Sequence, residues 1–416
     1  MLVDCNNFYV SCERLFNPKL ENKPVIVLSN NDGIVVARSN ETKAIGVPMG
    51  SPVFKIRHLI NKYNINIFSS NYALYADMSQ RVMNTLATFT PSIEIYSIDE
   101  AFLSLDHTIH HNPEALGHTI RTTVHRWTGI PVSIGIGPTK TLAKIANTTA
   151  KRESKYSGVC NSMEAANRES YLKSIPVSDI WGIGRRYSVK LQHHSIRTAY
   201  DLAHTPRTWV QKHLTIAGVR THMELNGTSC IALEDVPKPR AMITSSRSFG
   251  KPISSKQTLE EAISSYTAQA AEKLRRDGSI ASVIHVYITT SRFHQKRQYS
   301  KVAATKIHPP TAYTPHMITH AQKLLSGIYK SGYDYKKAGV ILSGIQPART
   351  MQIHMLQPYT PKQQNIMDSL DEINARWGRG TISTAAEGLH KPWGMKRNIL
   401  SQRFSTSIQE LLTITI

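Results

Sequence analysis

The chain has 416 residues, too many for one compact hydrophobic core, so its length predicts several domains. Lysine and arginine number 50 against 29 acidic residues, and a formal charge of +21 favours a polyanionic partner such as nucleic acid over a small metabolite or a membrane surface. The sequence contains no long apolar span, no export signal and no CxxC spacing, which predicts a cytoplasmic protein whose thiols are reduced: Cys5, Cys12, Cys160 and Cys230.

The first predicted elements are a short strand, a strand pair and a helix. Residues 1–3 are apolar and end at Asp4. Residues 23–39 contain two β-branched runs separated by Asn30–Asp32, a sequence typical of a turn, so they predict two neighbouring strands. Apolar residues at helical spacing then predict a helix over residues 75–86.

Residues 92–105 predict a β-hairpin with two carboxylates, Asp99 and Glu100, at its bend. Adjacent residues of a flat strand point to opposite faces, so both reach one site only where the backbone turns. With Asp4 they make three carboxylates, and Mg²⁺ prefers such oxygen ligands and completes its shell with substrate phosphates. From these residues alone, a divalent-cation site and ordinary solvated acids both remain open.

The hairpin is followed by a helix, a strand and a second helix, predicted over residues 113–128, 132–136 and 139–151. In the second helix, apolar residues are predicted to face inward and three lysines outward: Lys140, Lys144 and Lys151. Strand, helix, hairpin, helix, strand is the order of a split βαβ, ferredoxin-like domain. The first strand would then lie beside the hairpin, which predicts that Asp4 approaches Asp99 and Glu100.

Residues 162–230 have a helical pattern and contain a Gly-x-Gly loop. Gly182 and Gly184 precede Arg185 and Arg186, and such a loop at a helix N-terminus presents backbone N–H groups to a phosphate. A plain tight turn is an equally good interpretation of the glycines. The two arginines favour contact with a DNA backbone without reading of bases.

The remainder predicts a linker, a second α+β domain and a polar tail. Residues 232–240 contain two prolines and are typical of a linker. Residues 242–346 alternate strands with two helices, and the clearest strand covers 281–290. In the tail, residues 378–381 lack the lysine and the preceding strand of a phosphate loop, so they predict a turn.

Ordered motifs along almost the whole chain resemble those of the UmuC-type catalytic subunits of error-prone bacterial polymerases, within the Y family of translesion DNA polymerases. The motifs lie at residues 4–13, 27–33, 69–79, 97–102, 139–147, 181–186, 246–250 and 395–406. The resemblance implies a DNA-directed DNA polymerase of the SOS response to DNA damage. Such an enzyme adds deoxynucleotides to a primer 3′ end opposite damaged template by two-metal nucleotidyl transfer.

The resemblance also implies an α+β multidomain fold shaped like a right hand, with a ferredoxin-like palm, small fingers, a helical thumb, an α+β little finger and a C-terminal tail. The palm is expected to cover residues 1–161, with the fingers inserted at about 17–73. The helix-hairpin-helix thumb is expected at 162–231 and a linker at 232–241. The little finger is expected at 242–350 and the UmuC-type C-terminal region at 351–416.

By position, the resemblance implies a site for two Mg²⁺ ions. Asp4 and Asp99 would bridge both ions, Glu100 would bind the catalytic ion, and the Cys5 carbonyl would help to hold the nucleotide-bound ion. Phe8 would lie under the sugar of the incoming nucleotide. Tyr9 would be the steric gate that excludes a ribose 2′-hydroxyl. On periodicity alone, a place in a helix core is the favoured interpretation of Phe8 and Tyr9.

The resemblance also implies contacts with the triphosphate and with DNA. Lys151, Asn40 and Lys43 would contact the triphosphate of a deoxynucleoside triphosphate. Asn40 and Lys43 stand where many relatives have tyrosine and arginine, and lysine keeps the charge without the bidentate fork. The residues expected to bind primer-template DNA are Gly182, Gly184, Arg185, Arg186 and Arg247.

Partners implied by the resemblance are a UmuD-type dimer, RecA and the β sliding clamp, in a nucleoid-associated cytoplasmic protein with no membrane partner. Residues 352–356 resemble the short peptide with which bacterial polymerases bind the clamp, and the residues expected to make that contact are Gln352, Ile353, Met355 and Leu356. The terminal aromatic of that peptide is missing. A short apolar patch is the alternative, and the position after the little finger favours the clamp.

Two other functions stay open at the level of sequence. A non-catalytic DNA-bound adaptor is disfavoured because all three carboxylates are present. A stand-alone polymerase of the DinB type is disfavoured by the tail beyond residue 351 and by the turn at residues 29–33.

Overall fold

The computed structural model describes residues 1–105, 112–234, 239–291, 293, 297–350 and 361–410, and the chain forms two compact units. The first unit comprises Met1–Ser29, Gly33–Pro237 and Ile399–Ile416, and the second comprises Asn30–Asp32 and Lys238–Asn398. Within the described ranges, no helix has both the length and the apolar character needed to cross a bilayer.

The first unit contains the elements expected for the palm, the fingers and the thumb, and these names are used for them below. Its strands are β1 (Leu2–Cys5), β2 (Val25–Leu28), β3 (Val35–Arg38), β4 (Asn66–Ser69), β5 (Ile93–Ile95), β6 (Glu100–Leu103), β7 (Val132–Ile136) and β8 (Val159–Asn161). Its helices are α1 (Phe8–Phe16), α2 (Asn40–Ala44), α3 (Val53–Lys62), α4 (Tyr72–Ala87), α5 (Pro113–Thr128), α6 (Lys140–Arg152), α7 (Ala165–Ser174), α8 (Arg185–His193), α9 (Ala199–His204), α10 (Arg207–His213) and α11 (Ile216–Leu225).

The palm sheet has the strand order β5-β6-β1-β7-β8, in which β1 is antiparallel to both of its neighbours. This order confirms the ferredoxin-like palm, with β8 added at one edge. Alternate residues of β1 face opposite sides of the sheet: Val3 and Cys5 join the core with α4 and α5, whereas Leu2 packs with Ala143 of α6. Asp4 therefore lies on the α6 side, which is where the site is built.

The fingers form a small sheet of order β3-β2-β4, with β2 parallel to β4. Strand β2 is buried along its whole length because it packs on both faces. Its Val25 and Val27 face the palm core, while Ile26 and Leu28 pack with Ile56 of α3. The β-branched composition of the strand thus follows from burial on both sides.

The region expected to form the thumb contains helices α7 to α11, and a buried carboxylate connects it to the palm sheet. Glu224 of α11 is fully buried, and its Oε2 accepts hydrogen bonds from the backbone N–H and the hydroxyl of Thr141, both at 2.9 Å. Its Oε1 accepts from the N–H groups of Cys230 and Ile231, at 2.9 and 3.1 Å. Because Thr141 lies in the first turn of α6, the carboxylate also faces the positive end of that helix.

The second unit is built on an antiparallel sheet with helices on one face. Its elements are β9 (Met242–Ile253), α12 (Lys256–Arg276), β10 (Ser279–Thr290), β11 (Ser300–Thr311), α13 (Thr314–Ile328), β12 (Tyr335–Pro347) and α14 (Pro361–Trp377). The sheet order is β11-β10-β12-β9. Arg275 of α12 holds α14 through a bidentate pair with Asp371, at 2.6 and 2.8 Å.

Several predicted elements are confirmed. The helix over residues 113–128 and the strand over 132–136 have the predicted bounds. The predicted turn at residues 378–381 is confirmed, since Gly378 and Gly380 have positive φ angles of 106° and 89°. The five-part division of the chain stays a prediction.

Candidate active site

Two carboxylates of the predicted set meet on the α6 face of the palm sheet. Asp4 of β1 is the register partner of Glu100, the first residue of β6. Both side chains are largely buried, with 14% and 20% of their surface exposed. They line a cavity of about 240 Å³, together with Lys144, Lys151 and Trp181. The sheet register therefore brings together residues that are far apart in the sequence.

Asp99 lies beside this pair at the bend before β6. Its carbonyl accepts a hydrogen bond from the Cys5 N–H at 2.8 Å, which fixes the bend against β1. Its carboxylate accepts from the Ser97 hydroxyl at 2.6 Å, and that hydroxyl in turn accepts from the backbone N–H groups of Asp99 and Glu100. The backbone bend expected between Asp99 and Glu100 is present.

Lysines of α6 pair with the site carboxylates. Lys151 Nζ lies 2.5 Å from Asp4 Oδ1, and Lys144 donates to both oxygens of Glu100 at 3.0 and 2.9 Å. Lys144 also lies over the ring of Tyr96, 4.7 Å from its centroid.

The prediction that the lysines of this helix face outward is wrong for Lys140, which is buried and pairs with Glu94 at 2.5 Å. The same prediction did not anticipate that Lys144 pairs with Glu100 and that its side chain is only 16% exposed. The spacing of Lys140, Lys144 and Lys151 puts all three on one stripe of the helix, and that stripe faces acidic partners in the sheet. The sequence does not show which acidic residues of the sheet lie opposite this stripe, so the pairing could not be predicted from it.

Burial raises the pKa of Asp4 to about 6. Lys151 opposes this shift by stabilising the carboxylate, while Glu100 adds to it because two carboxylates repel. Two close, partly desolvated carboxylates have the donor chemistry that a hard divalent cation prefers. The ammonium groups of Lys144 and Lys151 supply the neutralising charge in this structure.

The residues of this site provide part of the ligand set expected for two metal ions. Over the described part of the chain, no three metal-ligating side chains converge on one point, since the Asp99 carboxylate faces Ser97. The oxygen donors of Asp4 and Glu100 and the Cys5 carbonyl match what Mg²⁺ binds. The three-carboxylate site for two ions therefore stays a prediction.

A cluster of cations and amides lies at the residues expected to contact a triphosphate. Lys43 donates to the side-chain oxygens of Asn7 and Asn40, at 2.6 and 3.2 Å. Its pKa is lowered first by burial and then by the charges of Arg38 and Lys151. Mutual repulsion of three cations is relieved by an anionic ligand, which is what a triphosphate provides. Sequence analysis missed Asn7 and Arg38, which come close to Lys43 only in the folded chain.

Phe8 and Tyr9 occupy the first turn of α1 with different exposure. Phe8 is buried in the palm core, whereas Tyr9 is half-buried. The Tyr9 ring stacks on Tyr75 of α4, with centroids 4.4 Å apart and planes 14° apart. Tyr72 meets the same ring edge-on at 6.2 Å. Contacts with these two aromatic rings thus hold the Tyr9 ring in place.

The Gly-x-Gly loop has the predicted position before a helix. Gly184 is the N-cap residue of α8, and Gly182 has a φ of 90° that favours glycine. Arg185 and Arg186 are exposed in the first turn of α8. The loop therefore presents N–H groups and two cations on one surface, and its contact with DNA stays a prediction.

Arg247 belongs to the second unit and lies on the helix-covered face of its sheet. It lies on the same face of β9 as the buried Ser245 and Phe249, each two residues away. Its charge opposes the burial that raises the pKa of Tyr266 in α12. Its DNA contact stays a prediction. The clamp-binding residues expected at Gln352, Ile353, Met355 and Leu356 lie outside the described residues.

Comparison with protein families matches most of the chain. Residues 3–148 match the impB/mucB/samB family, residues 240–355 match the C-terminal domain of that family, and residues 364–414 match a domain of unknown function. The chain is 41% identical to Protein ImpB of Salmonella typhimurium, covering 99% of this chain and 98% of that one. It is 40% identical to Protein UmuC of Salmonella typhimurium strain LT2, covering 99% of each.

The fold is similar to that of solved Y-family polymerases. A Y-family DNA polymerase chimera of Dbh and Dpo4 superposes with a TM-score of 0.68, covering 83% of this chain and 98% of that one. The sequences are 21% identical, so this likeness concerns the fold. It confirms the predicted polymerase architecture for the part of the chain that is covered.

Proposed function

This chain belongs to the impB/mucB/samB family, the UmuC-type Y-family DNA polymerases, and we propose that the Asp4–Glu100 site carries out its template-directed nucleotidyl transfer. The product is a primer extended opposite damaged template, as in translesion synthesis during the SOS response. The observation that carries the proposal is the pairing of two largely buried carboxylates with two lysines, all four of which line one cavity.

Two Mg²⁺ ions, when bound, would supply Lewis-acid activation of the primer hydroxyl and neutralise the triphosphate. Asp4, Asp99, Glu100 and the Cys5 carbonyl would hold them. The raised pKa of Asp4 means that the carboxylate binds a cation in competition with a proton near neutral pH. Lys144 orients the Glu100 carboxylate through its two hydrogen bonds.

Residues of the fingers and of α6 would bind and orient the deoxynucleoside triphosphate. Arg38, Lys43 and Lys151 provide positive charge around one space, and Asn7 and Asn40 fix the Lys43 ammonium by accepting its hydrogen bonds. Lys151 would exchange its contact with Asp4 for a phosphate oxygen. This positions the α-phosphate without any covalent role for the protein.

Tyr9 would exclude ribonucleotides, with Phe8 beneath the sugar. A tyrosine ring held by stacking cannot retreat from a 2′-hydroxyl without losing that contact, so the clash is costly. Primer-template DNA would be bound by distributed cations, among them Arg185 and Arg186 on α8. A UmuD-type dimer, RecA and the β sliding clamp are proposed as partners on the strength of the family, and the nucleoid as the place of action.

The test is primer extension across an abasic site, with and without a UmuD-type dimer and a RecA filament. Asp99→Asn should abolish incorporation and leave primer-template affinity nearly intact, because affinity comes mainly from lysines and arginines. Glu94→Gln is the control, since Glu94 is another carboxylate of the same hairpin but pairs with Lys140 and is not among the proposed metal-binding residues. Ample extension by Asp99→Asn, in a preparation that melts like the wild type, contradicts the proposal.

A further inference from the structure

The segment from Ile399 to Ser405 packs on α1, β4 and α4 of the first unit. Ser69, at the end of β4, donates its N–H to the Ile399 carbonyl at 2.8 Å and accepts the Ile399 N–H on its hydroxyl at 3.1 Å. Phe404 stacks on Phe16 of α1, with centroids 4.5 Å apart and planes 8° apart. The segment lies within residues 364–414, the match to a domain of unknown function.

Ser401 is the point at which this segment enters a buried polar network. The side-chain amide of Asn71 donates to the Ser401 hydroxyl at 3.0 Å and to the Gln402 carbonyl at 3.1 Å. The Ser401 hydroxyl donates in turn to Glu13 Oε1 at 3.1 Å. Asn71 and Glu13 are each only 2% exposed, so water does not substitute readily for these contacts.

The network continues from Glu13 to Tyr9. The hydroxyl of Tyr75 donates to the same Glu13 oxygen at 2.6 Å, and the Tyr75 ring is the one that stacks on Tyr9. Glu13 follows Tyr9 by four residues in α1, so both side chains lie on one face of that helix. Burial raises the pKa of Glu13, and the hydrogen bonds from Tyr75 and Ser401 oppose that shift.

We propose that the segment 399–405 is a sugar-specificity element, in which Ser401 positions the Tyr9 ring through Glu13 and Tyr75. The inference rests on the proposed function, in which Tyr9 excludes ribonucleotides. A buried carboxylate requires its donors, so removal of the Ser401 hydroxyl leaves Glu13 under-satisfied and the carboxylate shifts. Tyr75 moves with the carboxylate because its hydroxyl is hydrogen-bonded to it. The Tyr9 ring, which stacks on Tyr75, is then no longer held in one position. Ser401, Glu13 and Tyr75 are thus positioning residues.

The experiment measures kcat/KM for a deoxynucleotide and for the matching ribonucleotide with the full-length protein on undamaged primer-template. Ser401→Ala should lower the discrimination ratio about three- to tenfold, and Ser401→Thr should restore it. Tyr75→Phe keeps the stacked ring but removes its hydroxyl, and should lower the ratio similarly. The double variant should show less than the product of the two effects, because both hydroxyls act on Glu13.

Ser405→Ala is the matched control, because it removes a serine hydroxyl of the same segment that donates to the partly exposed Asp77 at 2.7 Å. Its ratio should equal that of the wild type. If Tyr9→Ala lowers the ratio while Ser401→Ala and Tyr75→Phe leave it unchanged, the positioning role is wrong and the gate stands. If Tyr9→Ala itself leaves the ratio unchanged, the gate is wrong. A fall in Ser405→Ala equal to that in Ser401→Ala also overturns the inference.

Discussion

Glu224→Gln is predicted to destabilise the connection between thumb and palm. The carboxylate of Glu224 accepts four hydrogen bonds in a fully buried place. A carboxamide has nearly the same shape but only one acceptor oxygen. In its best orientation that oxygen faces Cys230 and Ile231, and the amide donates to the Thr141 hydroxyl. The Thr141 backbone N–H is then left without an acceptor.

The size of the effect follows from these contacts. An unsatisfied buried N–H costs about 1–3 kcal/mol, and the two retained bonds lose about 1 kcal/mol each as their acceptor loses its charge. Loss of the negative charge at the start of α6 adds about 0.3–1 kcal/mol. Relief of carboxylate desolvation offsets part of this sum. We therefore expect a net loss of about 2–4 kcal/mol, which lowers the melting temperature by roughly 4–16 °C in a unit of this size.

The assay is thermal unfolding of the full-length protein, followed by its tryptophan fluorescence, to which Trp181 and Trp209 of the thumb contribute. Thr141→Val removes only the hydroxyl donor and should cost about 1 kcal/mol. Glu169→Gln, at an exposed position of α7, should leave the melting temperature unchanged. Equal melting temperatures for Glu224→Gln and the wild type would refute the reasoning.

Three further predictions concern the catalytic cycle. Because burial raises the pKa of Asp4 to about 6, the carboxylate becomes protonated as the pH falls through 6, and kcat/KM should fall with the pH. Lys151→Met should shift this fall in kcat/KM to higher pH, because Lys151 lowers the pKa of Asp4. Lys43→Arg restores a bidentate fork and should lower the KM for deoxynucleotides severalfold with little change in kcat, and an unchanged KM argues against a phosphate contact there. Changing Gln352 and Leu356 to alanine should abolish clamp-stimulated synthesis and spare distributive synthesis on naked DNA, and absence of saturable binding of the wild-type peptide to clamp up to about 1 mM would contradict the docking role.

Local elements were predictable where periodicity and composition agree with burial. The helix at 113–128 begins with Pro113 after Asn112, which caps it, and ends at Gly129 with a φ of 71°. These signals act within a few residues of each other, so the sequence carries them directly. Strand 132–136 was predictable for the same reason, since an apolar run of that length fits a strand buried on both faces.

Residue roles that depend on one face of an element were less predictable. The lysines of α6 have a spacing that is compatible with solvent or with acidic partners, and only the positions of β1, β5 and β6 decide between them. Arg247 lies in a motif expected to contact DNA, yet the alternation of β9 turns it toward α12. In both cases the sequence contains the residue but not its neighbours.

The sequence by itself determined the kind of protein: its charge, its ordered motifs and its element order indicate a Y-family polymerase with carboxylates at a strand end and a hairpin bend. Only the tertiary structure decided which groups meet. It placed Glu100 opposite Asp4, put Lys144 and Lys151 on those carboxylates, and joined Ser401 to Glu13 across 388 positions of the chain. The physical reason is that contacts of this kind depend on strand register and helix packing, which are properties of the whole core rather than of any local stretch.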